Sequence, residues 1–465
     1  MTPTAQDPTG WGFTTRQIHA GQDPAPGSGA CALPIYQSAA FVFDSAEQAA
    51  ARFRLEDAGP VYTRIGNPTL DVVEKRIANL EGGVGALLTS SGQAAETLTI
   101  LNLARAGKNL VVSRSIYGGT RNLFTNVLPQ YGITAHWVED SQDPASWKAA
   151  ADENTVAFYG ETVPNPTGDV FDIAAVANAA HEVGVPLILD NTVGTPYLIR
   201  PFEYGADIVV HSATKYLGGH GSTVAGVIVD SGNFDYAASP ERFPGFNEPD
   251  PSYHGLVYAR DLGVGCPLGA NLSFILRARV QLQRDLGMSL APFNAFLLAQ
   301  GIETLSLRME RHLSNTHALV KYLESHPAVE SVRWASLPSS PYYEVAQRYF
   351  PKGASALFAF DIKGGLEAGR AFVESTKLFK HLVNIGDVRS LVSHPASTTH
   401  SQLTTEQLQA AGIGPGTLRL SVGLEDPKDL IADLEQALAA GQAAAFGTES
   451  APSPAPESKP VTPEN

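Results

Sequence analysis

Ile208-Val209-Val210-His211-Ser212-Ala213-Thr214-Lys215-Tyr216-Leu217-Gly218-Gly219-His220-Gly221 decides how the rest of the chain is read. Ile208 to Val210 is a short apolar run of the kind that forms a strand buried on both faces, and a polar, glycine-rich loop follows it. In open parallel sheets ligands bind at the carboxyl ends of the strands. A lysine flanked by hydroxyls there can form a Schiff base with an aldehyde cofactor, and Ser212 and Thr214 can donate to a phosphate. A solvated lysine before a flexible turn fits the same residues, so the other strand ends must decide.

Working outward, Gly85 to Thr89, Asn109 to Val112, Val156 to Tyr159, Pro186 to Leu189 and Val224 to Val229 are further strand candidates. Leu70, Val73, Ile77 and Leu80 fall at helical spacing with Gly82 as a stop, and Ile173 to Val183 is a second helical segment. Apolar strands separated by amphipathic helices predict an α/β domain, with a mostly parallel sheet covered on both faces. Pro186 to Leu189 ends at Asp190-Asn191-Thr192, where an acid leaving an apolar strand can pair with a buried cation such as the pyridinium of pyridoxal phosphate; an N-cap or Asx-turn role fits equally well. Ser90-Ser91-Gly92-Gln93 opens the helical stretch Ala94 to Ala104 and offers backbone donors and a helix dipole to an anion, although a plain turn also explains it. Tyr117, beyond Asn109 to Val112, can stack on a flat ring or simply pack.

The remaining composition narrows the class. Against 47 Asp plus Glu there are 32 Lys plus Arg, and a formal net charge of −15 provides no basic field for nucleic acid. Hydrophobic residues at 43% and charged ones at 17% support a large folded core in 465 residues, enough for more than one unit. Cys31 and Cys266 are too far apart in sequence for a Cys-x-x-Cys site. With Met1-Thr2-Pro3-Thr4 and Asp7 at the start, and no apolar run of about 18 residues, a cytoplasmic protein without membrane contact is expected.

The expected organisation is an N-terminal arm over 1–60, a large domain over 61–290, a C-terminal domain over 291–440 and a disordered, proline-rich tail over 441–465. The arm contains one helix-like stretch, Ala46 to Arg54. A long helical pattern runs from Ala291 to about Ser325, and Asp429 to Ala439 closes the second domain. Phe243 to Gly263, rich in Pro, Gly and aromatics, reads as an inserted loop able to serve as a lid.

From about Thr15 to Ala440 the chain resembles the Cys/Met-metabolism branch of fold type I pyridoxal-phosphate enzymes. The segments carrying the resemblance are Tyr62-Thr63-Arg64-Ile65-Gly66-Asn67-Pro68-Thr69, Ser90-Ser91-Gly92-Gln93, Glu161-Thr162-Val163-Pro164-Asn165-Pro166, Asp190-Asn191-Thr192, Ser212-Ala213-Thr214-Lys215-Tyr216 and Leu418-Arg419-Leu420-Ser421-Val422-Gly423-Leu424-Glu425. The resemblance implies a mostly parallel large domain with a smaller α+β C-terminal domain, and pyridoxal 5'-phosphate as cofactor. It assigns Lys215 to the Schiff base and proton transfer, Asp190 to the pyridinium, and Tyr117 to ring stacking. Gly92, Gln93, Thr192, Ser212 and Thr214 complete the cofactor set, with Tyr62 and Arg64 reaching in from a neighbouring subunit. Asn165, Asn384 and Arg419 would contact substrate, Arg419 as the carboxylate clamp. A homo-oligomer follows, a dimer with shared active sites assembled as a homotetramer.

Asn384-Ile385-Gly386-Asp387 stands where synthase and lyase members carry a Ser-Leu-Gly-Gly type sequence, and this form resembles the O-acetylhomoserine sulfhydrylases. The implied reaction is γ-replacement on O-acylhomoserine by sulfide or a thiol such as methanethiol. Acetyl and succinyl donors both remain open, as do a cystathionine γ-synthase or methionine γ-lyase type reaction and a non-catalytic α/β protein that binds a phosphate ligand. His394 and His400 have no acid or cysteine partner at metal-ligand spacing, so they read as structural and no metal is expected.

Overall fold

The computed structural model describes residues 10–23, 28–165, 168–398 and 413–447. Seven strands form the larger sheet: β1 (Gly85–Thr89), β2 (Asn109–Val112), β3 (Thr134–Trp137), β4 (Thr155–Glu161), β5 (Leu187–Asp190), β6 (Ile208–His211) and β7 (Gly226–Asp230), in the order β1-β7-β6-β5-β4-β2-β3. All neighbours pair in parallel except β7, which is antiparallel to β1 and to β6. The connection from β6 to β7 holds no regular helix to carry a parallel crossover, so the chain turns back beside the strand it has left. Edge strand β3 had no apolar signature because none of its residues is fully buried.

Side chains of the central strands alternate between two cores. Leu187, Leu189 and Val209 face one that includes Leu70, Val73 and Ile77; Ile188, Ile208 and Val210 face another that includes Leu98 and Phe274. The helix Pro68–Glu81 starts where Asn67 accepts from Thr69 N at 2.9 Å and Pro68 occupies the first turn, and it stops at Gly82 in the left-handed region.

The segment over 243–263 is not a lid. It contains short helices at Pro244–Asn247 and Tyr258–Asp261, and Phe243, Phe246 and Tyr258 are fully buried in the second core. The Arg277 guanidinium lies 5.1 Å from the Phe246 ring, fixing the block from outside. Its aromatics are core residues, a role that a Pro- and Gly-rich composition does not disclose.

The helical pattern from Ala291 is two helices, Pro292–Glu303 and Leu305–Glu324. The first packs Ala295, Leu298 and Ile302 into the same core as Leu70 and Val73, so that core continues past residue 290. Beyond it lies a smaller sheet of β8 (Val329–Arg333), β9 (Leu357–Ile362), β10 (Lys380–His381), β11 (Leu391–Ser393) and β12 (Thr417–Ser421), ordered β10-β11-β12-β9-β8, with its own core. The helix Pro427–Phe446 extends past the expected boundary at 440, so residues 441–446 belong to this unit rather than to a tail; residues 448–465 lie outside the described set.

Residues 13–22 are docked rather than extended. Gln17 is 1% exposed, and its Nε2 donates to Glu303 O and Ser306 Oγ, both at 3.0 Å. From residue 34 to 62 the chain is mostly irregular around the helix Ala46–Phe53 and largely exposed. Among the described residues no helix is long and apolar enough to cross a membrane, and no group of three or more His, Cys, Asp or Glu is placed to hold a metal ion. His394 is fully buried, with its ring nitrogens 2.8 Å from Ser397 Oγ and Pro415 O; His400 is outside the described residues.

Candidate active site

The carboxyl ends of β4, β5 and β6 open on a cleft of roughly 250 Å³. Gly92, Gln93, Tyr117, Asn165, Asp190, Thr192, Ser212, Thr214, Lys215, Asn384 and Arg419 all line it. These eleven sequence-selected residues therefore converge. Tyr62 and Arg64 do not: Arg64 donates to Arg284 O, its guanidinium lies 5.4 Å from the Tyr62 ring, and neither residue reaches the cleft of its own chain.

One wall is the start of the helix Gly92–Leu103. Ser91 caps it, accepting from Ala94 N at 3.1 Å, and the first-turn N–H groups of Gly92 and Gln93 have no partner within the helix. A Cβ on Gly92 would stand 2.7 Å from Ser212 Cβ, so only glycine permits this approach of helix to loop. Thr214 lines the same region, but its hydroxyl is already engaged with the backbone of Ala225: it donates to the carbonyl at 3.1 Å and accepts from the N–H at 3.0 Å.

Asp190 ends β5 and accepts from Thr192 N at 2.7 Å, while Thr192 Oγ1 accepts from Ser212 N at 2.8 Å and so ties β5 to the lysine loop. Burial raises the Asp190 carboxyl above its ordinary value, opposed by the Thr192 hydrogen bonds and by His211 and Lys215. Glu81 and Glu74, two other buried acids, are paired with His211 and Arg279; Asp190 has no salt bridge among the described residues. A cationic ring would supply that missing partner.

Lys215 donates from Nζ to Asn384 Oδ1. Burial lowers its ammonium below the ordinary lysine value, Arg419 lowers it further, and Asp190 opposes both. Its loop is gripped from two sides. Arg308, 4% exposed on the long helix Leu305–Glu324, donates to Tyr216 O at 2.6 Å and Leu217 O at 3.2 Å. Gly386, at φ +70°, lies so close that a Cβ would meet Tyr216 N at 2.7 Å, which brings Asn384 to the lysine. Asp387 turns away from the cleft, pairs with Arg389 at 3.0 Å and packs against Gly221.

Arg419 projects from β12, 6% exposed, and donates to Asn165 Oδ1 and Asn384 O, each at 3.2 Å. Its buried Nε has no hydrogen-bond partner, and burial brings the guanidinium down to about 10. A buried guanidinium with an unmet donor is suited to a ligand carboxylate. Tyr117 is 48% exposed, and Gly119 allows its ring to fold close: a Cβ there would meet Tyr117 Cε1 at 2.5 Å.

Two cleft residues were missed in the sequence. Glu161 Oε1 accepts from Tyr117 N at 2.6 Å and so fixes the aromatic residue. Glu96 lies one turn beyond Gly92 on the same helix. Glu161 was within a quoted segment at a strand end, and Glu96 could have been found by counting four residues along the helix from the glycine.

The cleft thus offers a backbone anion site, an acid that lacks a cation, a lysine of lowered basicity and a guanidinium with a free donor. That donor set fits a phosphate-bearing aldehyde with a cationic ring, together with an amino acid carboxylate.

Comparison with known proteins agrees. The protein is similar to O-acetyl-L-homoserine sulfhydrylases of Corynebacterium glutamicum, 52% identical over 433 residues covering 92% of this chain and 97% of the relative, and of Leptospira meyeri, 49% identical over 426 residues covering 91% and 96%. An O-acetylhomoserine (thiol)-lyase structure from Campylobacter jejuni, which carries a pyridoxyl-lysine monophosphate residue, superposes with a TM-score of 0.87 at 40% identity, covering 92% of this chain and all of that one. Residues 14–439 match the family described as Cys/Met metabolism PLP-dependent enzyme, and the chain belongs to it.

Proposed function

We propose that the protein replaces the acyl-bearing γ-oxygen of O-acetylhomoserine with sulfur, using sulfide or a short thiol such as methanethiol, to give homocysteine or methionine and acetate. The observation that carries this reading is Lys215 held between Asp190 and Arg419 in a cleft that also offers an anion site. The relatives' names favour acetyl as the acyl group and sulfide as the nucleophile over the synthase and lyase alternatives, and family membership removes the non-catalytic one.

Pyridoxal phosphate supplies an electron sink that makes protons on Cα and then Cβ removable and the γ-substituent expellable. Gly92, Gln93 and Ser212 would hold its phosphate, with Thr214 joining them only if its hydroxyl turns from Ala225 O, while Asp190 with Thr192 would hold its ring nitrogen and Tyr117 its face. Lys215 would anchor the aldehyde carbon between turnovers and then carry protons on Nζ, a task favoured by an ammonium of lowered basicity. Arg419 would hold the amino acid carboxylate by its planar fork, with Asn165 orienting the guanidinium. Asn384, bonded to Lys215 Nζ and through its carbonyl to Arg419, would fix the lysine relative to the substrate.

We further infer a homo-oligomer, a dimer with shared sites assembled as a homotetramer, in which Tyr62 and Arg64 complete the neighbour's phosphate site. Assaying O-acetylhomoserine with sulfide, methanethiol, cysteine or no nucleophile tests the reaction, with O-succinylhomoserine as the competing donor. Homocysteine from the acetyl donor and sulfide is expected. Cystathionine from cysteine, or a 2-oxo acid without nucleophile, as the main product would overturn it.

A further inference from the structure

Glu96 opens on the same cleft as Asp190, Glu161 and Lys215, and nothing in the proposed reaction uses it. It is 3% exposed; Thr120 Oγ1 donates to its Oε1 at 2.9 Å, and Gln93 Nε2 donates to Oε2 at 3.4 Å. Facing it are Asp190 from β5, Glu161 and Tyr159 from β4, and Thr120 from the helix Gly118–Asn122. The Tyr159 ring is fully buried, and its hydroxyl lies among these carboxyls beside Glu96 and Thr120. None of the three acids forms a salt bridge among the described residues, unlike Glu81 and Glu74.

Three buried carboxyls sharing one cleft do not all ionise together, because each charge raises the cost of the next. Their partners differ. Asp190 accepts a backbone N–H from Thr192 and would gain the ring cation; Glu161 accepts the backbone N–H of Tyr117. Glu96 receives only side-chain donors, one of them long. Burial followed by the proximity of Asp190 pushes Glu96 up to about 8, and burial followed by Asp190 also pushes Glu161 well above the ordinary carboxyl value.

We propose that Glu96 is a positioning residue for the cofactor, a protonated carboxylic acid beside Asp190 at neutral pH whose ionisation in mildly alkaline solution adds a negative charge to the cofactor's surroundings. This rests on the pyridoxal-phosphate reading above. The added charge favours the protonated form of every cationic group in the cleft, so it holds the lysine-bound chromophore protonated to higher pH than Asp190 alone would. No bond is made or broken by Glu96 itself.

Absorbance titration of the holoenzyme from about pH 6 to 10, a range bracketing the alkaline limb, tests this in wild type, Glu96→Gln and Glu96→Ala. Both substitutions remove the charge, and only alanine removes the shape. The midpoint of the visible band should move to lower pH in both variants, by the same amount and on the order of one unit. The alkaline limb of kcat/KM should follow it. An unmoved midpoint in Glu96→Gln overturns the proposal, and so does a midpoint moved by alanine alone, since that is a packing effect. A wild-type protein that binds pyridoxal phosphate without a lysine-linked chromophore would instead overturn the cofactor reading, which separates the two failures.

Discussion

Asp190 and Lys215 stand at the ends of β5 and β6, on a ladder whose residues Ile188, Leu189 and Val209 are fully buried. Tyr62 and Arg64 stand at the end of a segment in which Val42 is 92% and Phe53 62% exposed. The first region is positioned by its own chain from both faces of the sheet; the second leaves large apolar side chains uncovered by the chain that carries them. A site built on the first region has its geometry set within one subunit. In the proposed assembly, residues of the second would act only against another subunit, so substitutions in the two regions should fail differently.

The largest effect belongs to the first region. Lys215→Ala should lower turnover by about 10⁴-fold or more, the upper range for one positioned proton-transfer group, because the covalent anchor is lost with it. Circular dichroism should show the fold intact, and turnover near the wild-type rate would refute the mechanism. Asp190→Ala should cost roughly 10² to 10³-fold, as for the loss of one preorganised charge, and weaken cofactor retention. A rate equal to wild type would reduce Asp190 to a turn residue.

Arg419→Lys moves to the clamp. An ammonium cannot reproduce two fork-like donors, and losing a charged hydrogen bond of about 1.5 to 3 kcal/mol corresponds to roughly 10 to 100-fold in KM. Unaltered kinetics with the amino acid would place the carboxylate elsewhere. Asn384→Ala removes one acceptor from Lys215 Nζ, and because Arg308 and Gly386 still hold the lysine loop, a loss of about 10-fold in kcat, near one charged hydrogen bond, is expected. A much larger loss would make Asn384 a participant in proton transfer.

The same contrast explains what was legible in the sequence. β1 and β2 carry the expected residues, and β4, β5 and β6 contain or closely overlap the expected runs, because strands buried on both faces are written as local apolar runs. Their polar ends then pointed to the cleft. The turned strand β7 was readable as a strand but not in its direction, which depends on a connection and not on a pattern. The aromatic block at 243–263 and the grip of Arg308 on the lysine loop are long-range packing, between residues whose own neighbourhoods are unremarkable. Glu96 stayed unseen because a glutamate on a helix reads as solvated until the sheet beneath it is known. For the arm, Tyr62 and Arg64 could be named only through a resemblance, since the contacts proposed for them are not encoded next to them.

The smallest expected signal tests that last point directly. If Arg64 serves the neighbour's cleft, Lys215→Ala and Arg64→Ala subunits are each inactive or nearly so alone, yet a mixed dimer contains one site with both residues intact. With random re-association half of the dimers are mixed and each has one good site of two, so co-refolded or co-expressed subunits should recover about a quarter of the wild-type rate. Separable tags establish that exchange has occurred. The recovered activity should fall to nothing when both substitutions are placed in the same chain and mixed with either single variant that lacks the complementary residue. Confirmed exchange without recovery would mean that Arg64 acts within its own chain, where it now donates to Arg284 O, and that the exposed arm supports assembly without contributing to the chemistry.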